Sequence, residues 1–198
     1  GSTSAPSALP GAADAAVAVK PVEEFLPAWN VLVERARSGE LEKILVVGGG
    51  AGGVELLLAM QYRLARLAAP RTIGFVLVTD AGRLLPDLNS GTRTAFRHIL
   101  SQRGIEVRLN CRVARAESNA ALATNGERIA ADAVVWATGA GAPSWLSETT
   151  LKLDKAGFIA TNEHLQSLLH PEIFATGDCA TIDGYVYPKS GVYAVRQG

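Results

Sequence analysis

Three glycines spaced as Gly48-x-Gly50-x-x-Gly53 lie between a short apolar run and an alanine- and leucine-rich segment. The run predicts a buried strand and the segment a helix, a context that distinguishes G-x-G-x-x-G from a chance cluster. Gly48 would permit a tight turn out of the strand. Gly50, with Ala51, would let the main chain approach a ligand closely, and Gly53 would let the helix pack close to the strand. A helix start presents free N–H groups, so the predicted chemistry is pyrophosphate binding. The alternative is a turn that binds no ligand.

A dinucleotide site also needs an acceptor for a ribose 2′-hydroxyl at the end of the second strand. Asp80 is near that place, although a shift of register would put Thr79 there. Arg83 is close enough in sequence to meet a 2′-phosphate. The pattern therefore favours NAD over NADP only mildly, and a turn-forming role for Asp80 remains the alternative.

Glu55 is predicted on the first turn of the glycine helix, where its charge would oppose that of a pyrophosphate. Two explanations remain open. The carboxylate is stabilised by the helix dipole, or it contacts the nicotinamide end of the ligand. The second explanation makes Glu55 the catalytic candidate.

Strand and helix patterns alternate through the first half of the chain. Strands are predicted over residues 44–47, 73–79 and 105–109, and helices over 54–67 and 90–102, the latter with Ser90 as its cap. This order predicts an α/β fold with a Rossmann-like parallel sheet. Three short strands over 112–129 predict an antiparallel meander, and residues 133–137 return as a buried strand.

The composition excludes several classes of function. Lys and Arg together number 19, and Asp and Glu together also number 19, so the formal net charge is zero. The chain therefore has no excess positive charge to attract nucleic acid or anionic lipid. No apolar run reaches the roughly 18 residues of a membrane span. The two cysteines form no redox pair, and the three histidines lack ligand spacing, so no metal site is expected. A cytoplasmic location is the expectation.

A second set of motifs lies in the C-terminal half. The segment EIFATGDCA predicts a strand over 173–175 that leads to Gly177 and Asp178. Together with WATGA (136–140), PKSGVYAVRQG (188–198) and the glycine turn, it resembles the FAD-dependent pyridine-nucleotide oxidoreductases that have two dinucleotide-binding domains. The resemblance covers roughly residues 41–198.

This resemblance implies roles for individual residues. Asp178, next to Gly177, would contact the ribityl chain of FAD. Gly139 would lie near the cofactors where the chain leaves the NAD domain. The N–H groups of Gly191 and Val192 would lie under the pyrimidine ring of the flavin. The absence of a cysteine pair makes the chain more similar to the type II NADH dehydrogenase branch, and closest to the flavoprotein segment that some bacteria fuse to selenide, water dikinase.

The family has two glycine-rich turns, and this sequence has one. The predicted division is a linker arm and connecting helix over 1–40, an NAD(P)-binding domain over 41–140 and a truncated FAD-binding domain over 141–198. We therefore expect a fragment, inactive alone, that does not retain FAD. Uncovered apolar residues such as Ile173 and Phe174 favour a homodimer.

For the intact parent the resemblance implies hydride transfer from NAD(P)H to FAD and then to an acceptor such as a quinone. Its location would be the cytoplasm or the inner face of the membrane. A non-catalytic NAD-binding module is the alternative. A nucleotide-binding methyltransferase could share the glycine turn, but it would have no use for the Gly177–Asp178 motif.

Overall fold

The computed structural model describes residues 3–4, 16–67, 71–185, 187, 189 and 191–197. The strands are β1 (Thr3–Ser4), β2 (Ala16–Ala18), β3 (Lys43–Val47), β4 (Gly74–Val78), β5 (Glu106–Arg108), β6 (Val113–Glu117), β7 (Ala120–Ala123), β8 (Arg128–Ala130), β9 (Ala133–Trp136), β10 (Ala140–Gly141), β11 (Ile159–Thr161) and β12 (Ala180–Ile182). The helices are α1 (Val22–Ser38), α2 (Ala51–Ala65), α3 (Ser90–Gln102) and α4 (Gly191–Gln197), with 3₁₀ turns at Ser144–Glu148 and Gly177–Cys179.

The chain divides into two compact units: a larger unit, residues 6–138, and a smaller unit, residues 139–198 with residues 1–5. The larger unit contains a five-stranded sheet in the order β2-β9-β3-β4-β5, and every neighbouring pair is parallel. β6, β7 and β8 form a separate antiparallel sheet. The predicted α/β class, with its parallel sheet and small meander, is confirmed.

Alternation along the central strands builds two cores. In β3, Ile44 and Val46 pack with the helices, while Leu45 and Val47 pack with the meander. Successive side chains of a strand point to opposite faces, so a strand covered on both faces is apolar throughout. The carboxyl ends of β3 and β4 therefore open at one edge of a well-anchored sheet.

One feature at the start of the larger unit differs from the expectation of a loose arm. Ala16–Ala18 forms the edge strand β2, which pairs with β9. The predicted connecting helix is present as α1, and its Phe25, Leu32, Val33 and Ala36 join the core on the helical side. Most of the predicted arm, residues 1–2 and 5–15, lies outside the described residues.

The smaller unit has a modest core of Leu146, Ile159, Ala175 and Ala180. β11 pairs with β12 in parallel, and β1 pairs with β10 in antiparallel. The strand predicted over 173–175 is wrong, because only an isolated bridge between Gln166 and Phe174 forms there. Phe174 is 66% exposed, so no covering layer favours an extended strand at this place.

Candidate functional site

The glycine turn joins β3 directly to α2. The N–H of Gly48 donates to the carbonyl of Val78 over 2.8 Å, so the turn begins at the edge of the sheet. Gly50 has an extended backbone and precedes the first helical residue, Ala51. The first helical hydrogen bond runs from the N–H of Val54 to the carbonyl of Gly50 over 3.1 Å. The N–H groups before Val54 are those that a helix leaves without an internal partner.

Close packing explains Gly48 and Gly53. Gly48 has a φ of +131°, and a Cβ there would lie 2.7 Å from the carbonyl oxygen of Ala137. A Cβ at Gly53 would lie 2.0 Å from the carbonyl oxygen of Gly48. Both positions are too tight for a side chain, so these glycines allow β3, β9 and α2 to approach closely.

Gly50 has the opposite environment. An added Cβ would meet nothing within 4 Å, its backbone is not in the left-handed region, and the residue is exposed. Neither strain nor packing within the chain therefore calls for glycine here. Bare main chain facing open space at a helix start is the arrangement that holds a pyrophosphate.

The two candidate acceptors at the end of β4 differ in exposure. Thr79 is buried, and its side chain packs so closely on the turn that a Cβ at Gly49 would lie 2.8 Å from the Thr79 Cβ. Asp80 is exposed as the next residue along. Of the two, Asp80 is the side chain that a ligand at the edge of the sheet can reach.

A connection that sequence reasoning missed ties the loop after β4 to the glycine turn. The N–H of Leu85 donates to the carbonyl of Gly49 over 2.8 Å, and Leu84 and Leu85 are buried. Leu85 has a φ of +51°, a conformation that bulky residues rarely adopt. Two adjacent leucines in a loop were the feature of the sequence that indicated a buried, anchored segment here.

Arg83 comes just before these leucines. It is exposed and lines a groove on α3.

Glu55 lies on the exposed side of α2, but as its fifth residue. Its predicted place on the first turn is therefore wrong, because the helix begins at Ala51. The dipole effect decays within the first turn. Dipole stabilisation is consequently a weak reason for a carboxylate at this position.

The Gly177–Asp178 motif forms a 3₁₀ turn before β12, not the end of a strand as predicted. Gly177 has a φ of +73°, and a Cβ there would lie 3.1 Å from the Cβ of Ala194 in α4. Its N–H donates to the side-chain oxygen of Gln197 over 2.9 Å. Packing of α4 on the motif thus accounts for this glycine.

The two other predicted flavin-side positions also lie in the smaller unit. Val192 is the second residue of α4. Gly139 begins the smaller unit, has a φ of +35°, and an added Cβ there would meet nothing within 4 Å.

Asp178 lines a cavity of about 240 Å³ in the smaller unit, together with Asp154, Lys189 and Tyr193. Lys189, which sequence reasoning did not single out, donates to the Ala180 carbonyl and to the Thr181 hydroxyl, and lies 4.3 Å from the ring centre of Phe158. Burial lowers the pKa of the Lys189 ammonium, and the carboxylates of Asp154 and Asp178 oppose that shift. The lining of this cavity is mostly apolar and carries these charged groups at a few points, an arrangement typical of small-molecule sites.

A parallel sheet whose glycine-rich turn opens into a helix defines a Rossmann-type dinucleotide-binding domain. The family profile for pyridine nucleotide-disulphide oxidoreductases matches residues 1–198. The chain therefore belongs to the pyridine nucleotide-disulphide oxidoreductase family.

Relatives and solved structures agree with this membership. The type II NADH:quinone oxidoreductase of Haemophilus influenzae is 31% identical over 147 residues, which cover 70% of this chain and 33% of that protein. An NADH dehydrogenase-like protein of Mycobacterium tuberculosis is 29% identical over 143 residues, 69% of this chain and 35% of that protein. The crystal structure of an FAD-dependent pyridine nucleotide-disulphide oxidoreductase from Desulfovibrio vulgaris has a TM-score of 0.65 and 26% identity, covering 100% of this chain and 50% of the other.

The chain is thus a distant homologue of type II NADH dehydrogenases and spans about a third of the length of the curated relatives described above. The family binds FAD and NAD(P). Within the described residues, no helix has both the length and the apolar character needed to cross a bilayer.

Proposed function

We propose that this chain is the NADH-binding domain, with part of the FAD-binding domain, of an FAD-dependent NAD(P)H oxidoreductase. The observation that carries the proposal is the contrast within the glycine turn. Gly48 and Gly53 are required by packing, whereas Gly50 faces open space at a helix start. A glycine that the protein itself does not need is explained by a ligand that approaches the backbone.

Each candidate residue has a distinct task in this proposal. Main-chain N–H groups of Gly50 and Ala51 bind the pyrophosphate, and Asp80 accepts a hydrogen bond from the ribose 2′-hydroxyl. The same carboxylate repels a 2′-phosphate, so NADH is preferred over NADPH, although the nearby Arg83 reduces that preference. Glu55, exposed near the helix start, positions the nicotinamide.

The flavin-side residues belong to the smaller unit. Asp178 accepts hydrogen bonds from the ribityl chain, Gly139 leaves room for a cofactor to approach, and the N–H groups of Gly191 and Val192 face the pyrimidine ring. When both cofactors are bound, they supply hydride transfer from the nicotinamide to the flavin. The protein aligns the two rings and needs no dedicated acid or base for that step.

A quinone is the proposed acceptor, supported by the similarity to the Haemophilus influenzae enzyme, whose name states that substrate. This assignment implies a cytoplasmic protein that visits the inner face of the membrane. A fusion to selenide, water dikinase stays a prediction from the sequence motifs alone, since the names of the relatives described above do not mention it. Sequencing the flanking regions of the gene tests the fusion directly.

The decisive test of the dinucleotide site is a titration of Gly50→Val with NADH, followed by fluorescence. The added side chain occupies the space assigned to the pyrophosphate, so NADH should bind at least about tenfold more weakly. The fold should be unaffected, because nothing lies within 4 Å of the new Cβ.

Gly74→Val is the matched control for this titration. Gly74 starts β4 at the opposite end of that strand from Asp80, and its Cβ would make ordinary contacts at 3.6 Å. NADH binding should be unchanged in this variant. Equal NADH affinity of wild type and Gly50→Val would contradict our assignment of the turn.

The second candidate is a non-catalytic NAD-binding module. It is favoured by one observation: the single G-x-G-x-x-G turn of this sequence is accounted for by NADH binding alone. Expression of the complete gene product and assay of NADH oxidation with a quinone analogue separate the two. Turnover supports the enzyme, and binding without turnover supports the module.

A further inference from the structure

A groove runs along one face of α3 in the larger unit and has a volume of about 560 Å³. This size falls in the range of small-molecule sites. One wall is the polar face of α3, the second is the apolar edge around β5, and the loop after β4 closes one side. The lining residues from α3 are Ser90, Arg93, Thr94, Arg97 and Ser101.

The groove concentrates positive charge. Arg93 and Arg97 are four residues apart on α3, so their side chains share one helix face. Arg83 adds a third guanidinium from the loop, and the lining residues include no Asp or Glu. In the described part of the chain, none of these three arginines forms an ion pair. Like charges at this spacing destabilise a helix, and a bound anion would remove that penalty.

The opposite wall is apolar. Ile105, Val107 and Leu109 alternate along β5 and its flanks and line the groove on one side. Ile105 is buried, whereas Leu109 is 39% exposed. A ligand with a charged group at the arginines would therefore place its remaining part against hydrocarbon.

The loop that carries Arg83 is held in place. The main chain at Leu85 is bonded to Gly49, and the guanidinium of Arg93 donates to the carbonyl of Leu88. These contacts present Arg83 and Arg93 from two anchored segments. An anchored set of donors loses less entropy on binding than free surface side chains do.

We propose that this groove is a binding site for a phosphate monoester with an apolar body, built on Arg93 and Arg97 of α3 and distinct from the pyrophosphate site at the glycine turn. Arginine forks bind phosphate oxygens in pairs, and the hydroxyls of Ser90 and Thr94 supply further donors. The strand wall holds the apolar body. This site goes beyond the oxidoreductase proposal and does not depend on it.

The test uses phenyl phosphate as the probe, followed by amide NMR of the purified chain. Phenyl phosphate should shift amides of α3 and β5, with a dissociation constant of about 1 mM. Inorganic phosphate should bind more weakly because it lacks the apolar body, and neutral benzyl alcohol should not bind measurably. The double variant Arg93→Gln, Arg97→Gln should bind phenyl phosphate about tenfold more weakly or worse.

Arg63→Gln with Arg66→Gln is the matched control, since it removes the same charge from the exposed end of α2 outside the groove. Phenyl phosphate affinity should be unchanged in that control. The proposal is overturned by absent binding, by equal losses in both double variants, or by competition between phenyl phosphate and NADH. It is also overturned if the Arg93, Arg97 variant specifically loses NADPH affinity, because the groove would then serve the 2′-phosphate. If NADH does not bind at all, the comparison of the double variants still decides this proposal alone.

Discussion

At the scale of single residues, the glycines of the turn separate into two physical kinds. A Cβ at Gly53 would collide with the main chain of Gly48, whereas a Cβ at Gly50 would enter open space. Substitutions at the two positions should therefore have different effects. A substitution at Gly53 should lower the stability of the fold, and one at Gly50 should weaken ligand binding.

Gly53→Ala should lower the free energy of unfolding by about 2–3 kcal/mol, because α2 must move away from β3 to admit the methyl group. Chemical denaturation monitored by circular dichroism measures this effect. Gly50→Ala is the control and should stay within about 0.5 kcal/mol of the wild type. Equal stability of the wild type, Gly53→Ala and Gly50→Ala would contradict the close approach of Gly53 to the carbonyl of Gly48.

Asp80→Ser should change the choice of nucleotide. In the proposed site the carboxylate binds the ribose hydroxyl of NADH and repels the extra phosphate of NADPH, so its loss should reduce the ratio of the two affinities about tenfold. Parallel fluorescence titrations with NADH and NADPH provide the measurement. Asp87→Ser, an exposed acid further along the same loop, should leave the ratio unchanged. An unaltered ratio in Asp80→Ser would support a simple turn-forming role.

At the scale of elements, exposed ion pairs join the strands of the meander. Glu117 accepts hydrogen bonds from Arg115 at 2.9 Å and from Arg128 at 3.1 Å, and so links β6 with β8. The hydrogen bonds from Arg128 and then Arg115 lower the pKa of the Glu117 carboxyl below its ordinary value of 4.5. A lowered pKa in the folded state stabilises the fold only while the carboxylate is charged.

The sign of the resulting pH dependence follows from that shift. The stabilisation by Glu117 is present above 4.5 and is lost as the pH falls through the lower folded-state pKa. Wild type should thus exceed Glu117→Gln in stability at neutral pH, and the difference should shrink on acidification. Urea unfolding of both proteins from neutral to acidic pH measures this difference in the free energy of unfolding. The difference should also shrink in high salt. A difference that grows in acid would contradict the assigned pairing.

Helix ends show what local sequence can miss. Ser90 was the predicted cap of α3, but the side chain of Asn89 accepts the N–H of Thr92 over 2.9 Å. The helix itself spans the predicted residues 90–102. Both residues are good caps, and only the backbone conformation selects between them.

At the scale of the whole molecule, the chain should not retain FAD. It contains one glycine-rich turn, and the proposal assigns that turn to NADH, which leaves the pyrophosphate of FAD without its main anchor. The purified chain should lack the visible absorbance of flavin, also after incubation with FAD. The larger unit should still bind NADH in the same preparation. Stoichiometric bound flavin would refute this part of the proposal.

The sequence alone predicted the parallel sheet, the meander and the helix after the glycine turn. These features depend on local periodicity, on turn residues and on glycine spacing, which are all readable along the chain. It did not predict the edge strand Ala16–Ala18, because three small residues acquire strand geometry only by pairing with β9. It also wrongly placed a strand over 173–175, where an apolar run lacks a covering layer.

Residue types and spacing by themselves predicted a dinucleotide site at Gly48–Gly53. Only the tertiary structure decided that Asp80, and not Thr79, faces outward, and that Gly50 differs from its neighbours in having open space. The bond from Leu85 to Gly49 and the arginine groove also join segments that are distant in sequence. Exposure and close approach depend on chain packing across such distances, and local pattern carries no information about them.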